Sequence, residues 1–219
     1  MTDNINYEHI VKFLDSTLAH GEGILGELED YAKLHCTPII QKEVRCLLGT
    51  LLEYKKPRKI LEIGTAIGYS AIFFASHLAD GGKVITLERD SDYIARAKAN
   101  IGRSGFADRI ELIEGEAEET VKGIDGEFDI VFLDANKSQY RYYFDVVFPH
   151  LRPGGMLICD NILYKGMVSE DALVPGRKHN AIVLALRDFL PYIANHPQLE
   201  TSIIPIGDGV SLSVKKNDM

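Results

Sequence analysis

Apolar residues recur at helical spacing in three successive stretches at the start of the chain, Ile5 to about Ala19, Ile24 to His35 and Gln41 to Tyr54. Ile10, Phe13 and Leu14 mark the first, and Val44, Leu47, Leu48 and Leu51 the third, so each stretch is expected to be a helix. Pro38 starts a short link, and Pro57 closes the third helix. From Lys59 onward the pattern changes to short apolar runs alternating with helical ones. Strands are expected near 59–64, 83–88, 109–114, 128–133 and 154–160, and helices near 68–79, 91–104, 116–124 and 138–150. That alternation predicts an α/β, Rossmann-like fold, a mostly parallel sheet with helices on both faces. A helix near 179–195 then leads to two apolar runs, Glu200 to Pro205 and Val210 to Lys215, flanking Gly207-Asp208-Gly209. The glycine-rich break is a hairpin signal, so one C-terminal strand is expected to run antiparallel. The polar stretch 165–179 reads as an inserted surface loop.

Within this pattern the segment Lys59 to Ser76 joins a buried strand, a turn bracketed by Gly64 and Gly68, and an apolar helix beginning at Tyr69. Such a turn lets backbone N–H groups and the positive end of the helix approach a polar ligand with no Cβ in the way. The spacing Glu62-x-Gly64-x-x-x-Gly68 is neither the G-x-G-x-x-G of a dinucleotide site nor a P-loop. An acid at the strand end repels a pyrophosphate but accepts hydrogen bonds from an ammonium or hydroxyl group. A ligand carrying a cationic amine and a ribose is therefore expected. The next apolar strand ends in Glu88, about 20 residues after the turn, where Rossmann-type units place the carboxylate that takes ribose hydroxyls. The plainer reading makes Glu62 and Glu88 solvated strand ends. Their pairing with the glycine turn resembles the S-adenosylmethionine site of class I methyltransferases.

With 219 residues and 46% hydrophobic positions the chain is expected to form a single domain, residues 1–219, with a helical cap over 1–56 and the Rossmann-like core over 57–219. The cap is expected to cover a ligand and supply the face of a homodimer. A net charge of -8 argues against a surface that binds polyanions everywhere, although a local basic face remains compatible with it. Cys36, Cys46 and Cys159 show no C-x-x-C or zinc spacing and read as core thiols in a reducing cytoplasm. The first ten residues have neither a basic start nor an apolar run, and no stretch reaches membrane-spanning length, so a cytoplasmic protein that does not enter membranes is expected.

Ligands of open α/β sheets bind beyond the carboxyl ends of the strands. The fourth and fifth strands end in Asp134 and in Asp160-Asn161, which should converge at that edge. Three hard oxygen donors suit Mg²⁺ or a similar hard cation and leave positions for water and a substrate oxygen. The alternative is a generic strand-end acid and a turn or cap pair. Lys137, three residues beyond Asp134, is expected beside the metal, where its charged form is disfavoured and it can take a hydroxyl proton. Beside a site that resembles one for S-adenosylmethionine, such a set is expected to transfer a methyl group to an oxygen.

Asp134-Ala-x-Lys137-x-x-Tyr140 and Asp160-Asn161, added to Glu62-x-Gly64 and Gly68-Tyr69-Ser70, resemble the cation-dependent O-methyltransferases of the catechol and caffeoyl-CoA type. Pro38-Ile-Ile, the run Asp160 to Val168 and Ile204-Pro-Ile-Gly-Asp-Gly look closest to a bacterial branch, the tRNA 5-hydroxyuridine methyltransferases. The resemblance implies that Glu62, Gly64, Ser70 and Glu88 contact S-adenosylmethionine, with Ile40, Ala117 and Asp134 around it, and that Asp134, Asp160 and Asn161 bind Mg²⁺. It implies Lys137 and Asp134 as catalytic residues, and 5-methoxyuridine at the tRNA wobble position as product. Lys137, Arg141, Lys165, Arg177 and Lys178 are expected on a rim able to hold an anticodon loop by its phosphates, with Tyr164 or Tyr140 stacking on the base. The alternatives are a small catechol or caffeoyl-CoA-like phenol as substrate, and a cofactor-binding module without catalysis.

Overall fold

A computed structural model describes residues 5–217, apart from the side chain of Lys178. The helices are α1 (Glu8–Thr17), α2 (Ile24–His35), α3 (Lys42–Lys55), α4 (Tyr69–His77), α5 (Ser91–Arg103), α6 (Ala117–Thr120), α7 (Tyr140–Val147) and α8 (Arg177–Ala194). The strands are β1 (Lys59–Ile63), β2 (Lys83–Glu88), β3 (Ile110–Glu114), β4 (Phe128–Leu133), β5 (Leu151–Asp160), β6 (Leu199–Ile204) and β7 (Val210–Lys215). Among the described residues the strands are ordered β3-β2-β1 in one part of the chain and β4-β5-β7-β6 in the other. The chain gathers into two compact units, one of Ser16–Asp125 and one from Gly126 onward with the residues up to Asp15.

In the unit Ser16–Asp125, β1 pairs parallel with β2 and β2 with β3, so that Ile63 faces Leu87 and Leu87 faces Ile113. Parallel pairing needs a crossover between the strands, and α4 and α5 supply it. Seven residues of α4 in succession, Tyr69 to Ala75, are buried. A helix covered all round needs no polar face, which is why its sequence is apolar without a stripe. Helix α2 buries Leu28 and Ala32, and α3 buries Val44, Leu48 and Leu52, both against α4. The Tyr69 hydroxyl donates to Glu29 Oε1 of α2 at 2.5 Å, and burial followed by that bond pushes the phenol well above its ordinary pKa. Helix α5 is amphipathic: Ile94, Ala97 and Ile101 face inward, and Asp90 caps its start by accepting from the N–H groups of Asp92 and Tyr93 at 3.0 Å.

In the unit from Gly126 onward, β4 pairs parallel with β5, β5 antiparallel with β7, and β7 antiparallel with β6. All six residues of β4 are buried, which explains a continuous apolar run rather than an alternating one. Tyr140, Tyr143 and Phe144 of α7 are buried, as are Val183, Leu186 and Phe189 of α8, and the Tyr140 and Phe189 rings meet edge to face at 5.8 Å. The hairpin between β6 and β7 turns tightly at Gly209, where φ is +86° and a Cβ would fall inside the Leu163 side chain.

The expected elements are present, with three differences. The helix expected over 116–124 is the single turn α6 followed by a 3₁₀ turn at Val121–Gly123. Strand β5 begins at Leu151 because Leu151 pairs with Phe128 before the register shifts. The polar stretch after β5 contains a 3₁₀ turn at Asp171–Leu173, and its last residues already belong to α8. Cys159 is buried, but Cys36 is exposed and Cys46 only half-buried, so the expectation of three core thiols holds for one. No helix among the described residues is long and apolar enough to cross a membrane.

Candidate active site

The turn after β1 is built by hydrogen bonds to the end of β2. The N–H groups of Gly64 and Thr65 donate to the Leu87 carbonyl at 3.1 and 3.2 Å, and Gly68 N–H returns to the Thr65 carbonyl at 2.8 Å. Ala66 stands at φ +45°, a conformation L residues rarely hold, and its N–H donates to Glu88 Oε2 at 2.8 Å. Glu88 Oε1 accepts from the N–H groups of Arg89 and Asp90 at 2.9 and 3.0 Å. A carboxylate has about four acceptor positions and these bonds use three, so Glu88 can still take a ligand hydroxyl. Gly68, at φ +86°, caps α4, and Ser70 lies in the first helical turn, where N–H groups have no partner within the helix.

Glu62 is wholly buried and therefore not a solvated strand end. Its register partner on β2 is Thr86, whose hydroxyl donates to Glu62 Oε2 at 2.5 Å and lies 2.5 Å from the Thr65 hydroxyl. The two threonines fix the carboxylate beside the glycine turn. Thr86 carries a readable signal, since it precedes Glu88 by two residues on the same face of β2. A buried carboxylate and an anchored second one fit a ligand with an ammonium group and ribose hydroxyls. Ile40, 3% exposed, precedes α3, and Ala117 opens α6 after Gly115, whose N–H donates to the Glu88 carbonyl at 2.8 Å. Six of the seven residues expected around the cofactor thus belong to one unit, and Asp134 is the exception.

Asp134, Lys137, Asp160 and Asn161 belong to the other. Asp134 directly follows β4, and Asp160 ends β5, the neighbouring parallel strand. Asp160 is 1% exposed, and its carboxyl is pushed up to about 8, first by burial and then by the charge of Asp134; Asp208 adds to the rise, while the Asn161 N–H and Lys137 oppose it. The Asn161 N–H donates to Asp160 Oδ1 at 2.7 Å, and Asn161 itself is left-handed at φ +55°. Lys137 opens a 3₁₀ turn and its Nζ lies 2.7 Å from Asp134 Oδ1. Two strand-end carboxylates, of which Asp160 is held back from ionising by burial and then by the charge of Asp134, match together with the adjacent asparagine the needs of a hard divalent cation. No group of three or more His, Cys, Asp and Glu side chains is gathered for a metal among the described residues. The candidate here has two carboxylates and an amide.

Tyr140 is not a stacking residue. It is fully buried, and its hydroxyl donates to the carbonyls of Leu133 at 2.9 Å and Asp160 at 3.0 Å, tying together the ends of β4 and β5. Tyr164 is half-buried at φ +46° and its hydroxyl lies 2.8 Å from His179 Nδ1. Of the expected basic rim, Lys165 and Arg177 are exposed, whereas Arg141 is held by α7 and α8: it lies 3.5 Å over the Tyr192 ring and pairs with Asp145. The Lys178 side chain lies outside the described residues. Asp208, expected only as a hairpin residue, accepts from the Lys165 N–H and raises Asp160. A Gly-Asp-Gly turn carries no mark in the sequence of the strand end it will face.

A family model described as O-methyltransferase matches residues 17–216, and the chain belongs to that family. It is 30% identical over 225 residues to the catechol O-methyltransferase of Mycobacterium tuberculosis, covering 98% of each chain. It is 31% identical over 174 residues to caffeoyl-CoA O-methyltransferase 1 of Eucalyptus globulus, covering 75% of this chain and 70% of that protein. Among solved structures, the S-adenosylhomocysteine-bound Podospora anserina methyltransferase PaMTH1 superposes with a TM-score of 0.86 at 27% identity, covering 96% of this chain and 95% of the other. The protein is an S-adenosylmethionine-dependent O-methyltransferase with a Rossmann-like fold.

Proposed function

We propose that the chain works as one catalytic domain that methylates the 5-hydroxyl of 5-hydroxyuridine at the tRNA wobble position, using S-adenosylmethionine and a hard divalent cation such as Mg²⁺. The observation that supports it most is the strand-end set: Asp160, buried and raised to about 8 partly by Asp134, with Asn161 next to it and Lys137 Nζ 2.7 Å from Asp134. Asp134, Asp160 and Asn161 would hold the cation, which when bound polarises the acceptor hydroxyl and lowers its pKa. Lys137 Nζ stands at this set, where as the free amine it would take the hydroxyl proton. Glu62 and Glu88 orient the cofactor by its amine and ribose, with Gly64, Ser70, Ile40 and Ala117 around it.

The acceptor follows from what a catechol and a hydroxyuridine share. Each places two oxygens on adjacent ring carbons, a pair of hydroxyls in one and the 4-carbonyl beside the 5-hydroxyl in the other, so each can chelate one cation. The run Asp160 to Val168 resembles the tRNA branch, and exposed Lys165 within it and exposed Arg177 at the start of α8 suit phosphates. A small phenol is the second reading, favoured by the names of the catechol and caffeoyl-CoA relatives. The proposal includes a cytoplasmic homodimer; exposed Tyr7, Ile10 and Phe13 at the N-terminal helix support the dimer, which light scattering checks. Mass spectrometry of tRNA nucleosides from a deletion strain tests the substrate. Loss of 5-methoxyuridine with accumulation of 5-hydroxyuridine is expected; unchanged tRNA together with turnover of catechols transfers the assignment to the small phenol.

A further inference from the structure

The unit Ser16–Asp125 carries a second concave site that the methyl-transfer reading does not use. It is a groove of about 260 Å³ between α2 and α5, lined by Glu27, Leu28 and Tyr31 on one side, Arg96, Asn100 and Arg103 on the other, and Ile67 of the glycine turn, so that one carboxylate faces two guanidinium groups. Arg96, Asn100 and Arg103 stand at i, i+4 and i+7 and so share one face of α5. Leu28 and Ile67 are 3% and 1% exposed and form its depth, while the two arginines stand exposed at its rim.

The charges of the groove are only partly met. Arg103 pairs with Glu27 at 2.7 Å, but both side chains are more than half exposed, and such a pair exchanges readily for another anion. Arg96 donates to the Tyr31 hydroxyl and lies 5.6 Å from the centre of its ring; among the described residues no carboxylate pairs with it. A protein of net charge -8 therefore presents here a guanidinium whose partner is a tyrosine, the ring of which also meets His35 at 4.3 Å between centroids. The volume approaches the lower end of small-ligand pockets, about 300 Å³. An anion held by planar guanidinium forks, a ring to stack on and an apolar floor are together what one phosphate with its base requires.

We infer that this groove is a nucleotide-binding site, with the phosphate between Arg96 and Arg103 and the base against Tyr31, Leu28 and Ile67. Occupancy would reach the cofactor turn through Asn100, whose Nδ2 donates to the Ile67 carbonyl at 2.9 Å. The nucleotide can be free or part of an RNA strand, and the inference does not depend on which acceptor is methylated.

The test is calorimetry on the whole protein saturated with S-adenosylhomocysteine, so that the cofactor site is taken. Uridine 5′-monophosphate should bind, and uridine or inorganic phosphate alone should bind at least about tenfold more weakly, since each lacks half of the contacts. Arg96→Gln and Tyr31→Ala should each weaken the nucleotide by about tenfold or more while leaving S-adenosylhomocysteine affinity unchanged. Because Arg96 is exposed, Arg96→Gln keeps the experiment decisive even if Tyr31→Ala loosens α2. Tighter binding of a pentauridylate than of the mononucleotide, abolished by Arg96→Gln, would make the ligand an RNA strand; equal binding would make it the free nucleotide. Phosphate binding as tightly as the nucleotide, no binding of either uridylate, or affinities untouched by Arg96→Gln would overturn the inference.

Discussion

Asp160 shows how a single residue combines a fold requirement with a chemical one. As the last residue of β5 it is drawn into the interior, and its carboxyl rises to about 8 against an unfolded value near 4. The folded protein thus keeps a proton that the unfolded chain has released. Its contribution to stability is full below about pH 4, declines as pH rises, and is lost above about pH 8. With EDTA present, the melting temperature should fall over that window more steeply for the native protein than for Asp160→Asn, and Mg²⁺ should restore most at the alkaline end. Parallel melting curves for the two proteins would mean that Asp160 is ionised throughout. Tyr140 makes a second prediction. Tyr140→Phe leaves the Leu133 and Asp160 carbonyls short of a buried donor and should cost about 1–3 kcal/mol in urea denaturation.

At the scale of elements, the glycine turn is shaped as much by β2 as by its own glycines. Glu88 holds Ala66 in its left-handed conformation and joins it to the start of α5 through three backbone N–H groups. Glu88→Ala should therefore do two things at once. Cofactor affinity, read by calorimetry, should fall by about 1.5–3 kcal/mol for one lost charge-assisted hydrogen bond, and amide exchange at Thr65 to Gly68 should quicken. Weaker cofactor with unchanged exchange would limit Glu88 to ligand contact alone. The cap of α5 is a simpler case. Asp90→Ala should lower stability by about 1 kcal/mol and leave cofactor affinity unchanged, because Asp90 serves the helix and not the turn.

On the scale of the whole molecule, an acidic chain is proposed to act on a polyanion, and salt decides whether it does. Each phosphate contact releases counterions, so activity on 5-hydroxyuridine tRNA should decline steeply with KCl, whereas activity on a catechol should change little. Replacing Lys165 and Arg177 together by alanine should weaken tRNA use and shallow that salt dependence, with catechol turnover as the internal control. Equal salt sensitivity for both substrates would remove the support that the exposed basic residues give to the RNA reading.

Sequence by itself determined the order and kind of the elements. Strand and helix periods differ enough to read, and a fully buried strand such as β4 or helix such as α4 announces itself by continuous apolar composition. It also set the chemistry-bearing residues at the strand ends, because carboxylates placed just past apolar runs must emerge at a sheet edge. Other features were settled only in three dimensions. Whether a tyrosine stacks on a ligand or joins two strands depends on which carbonyls it meets, and Tyr140 meets those of Leu133 and Asp160. Whether an arginine is free for a phosphate depends on neighbours a helix away, as Arg141 finds in Tyr192. The groove between α2 and α5 joins residues more than sixty positions apart, and the pKa of Asp160 comes from burial and from acids on a strand end and a hairpin. Local pattern encodes what a residue prefers, and tertiary packing decides what it touches.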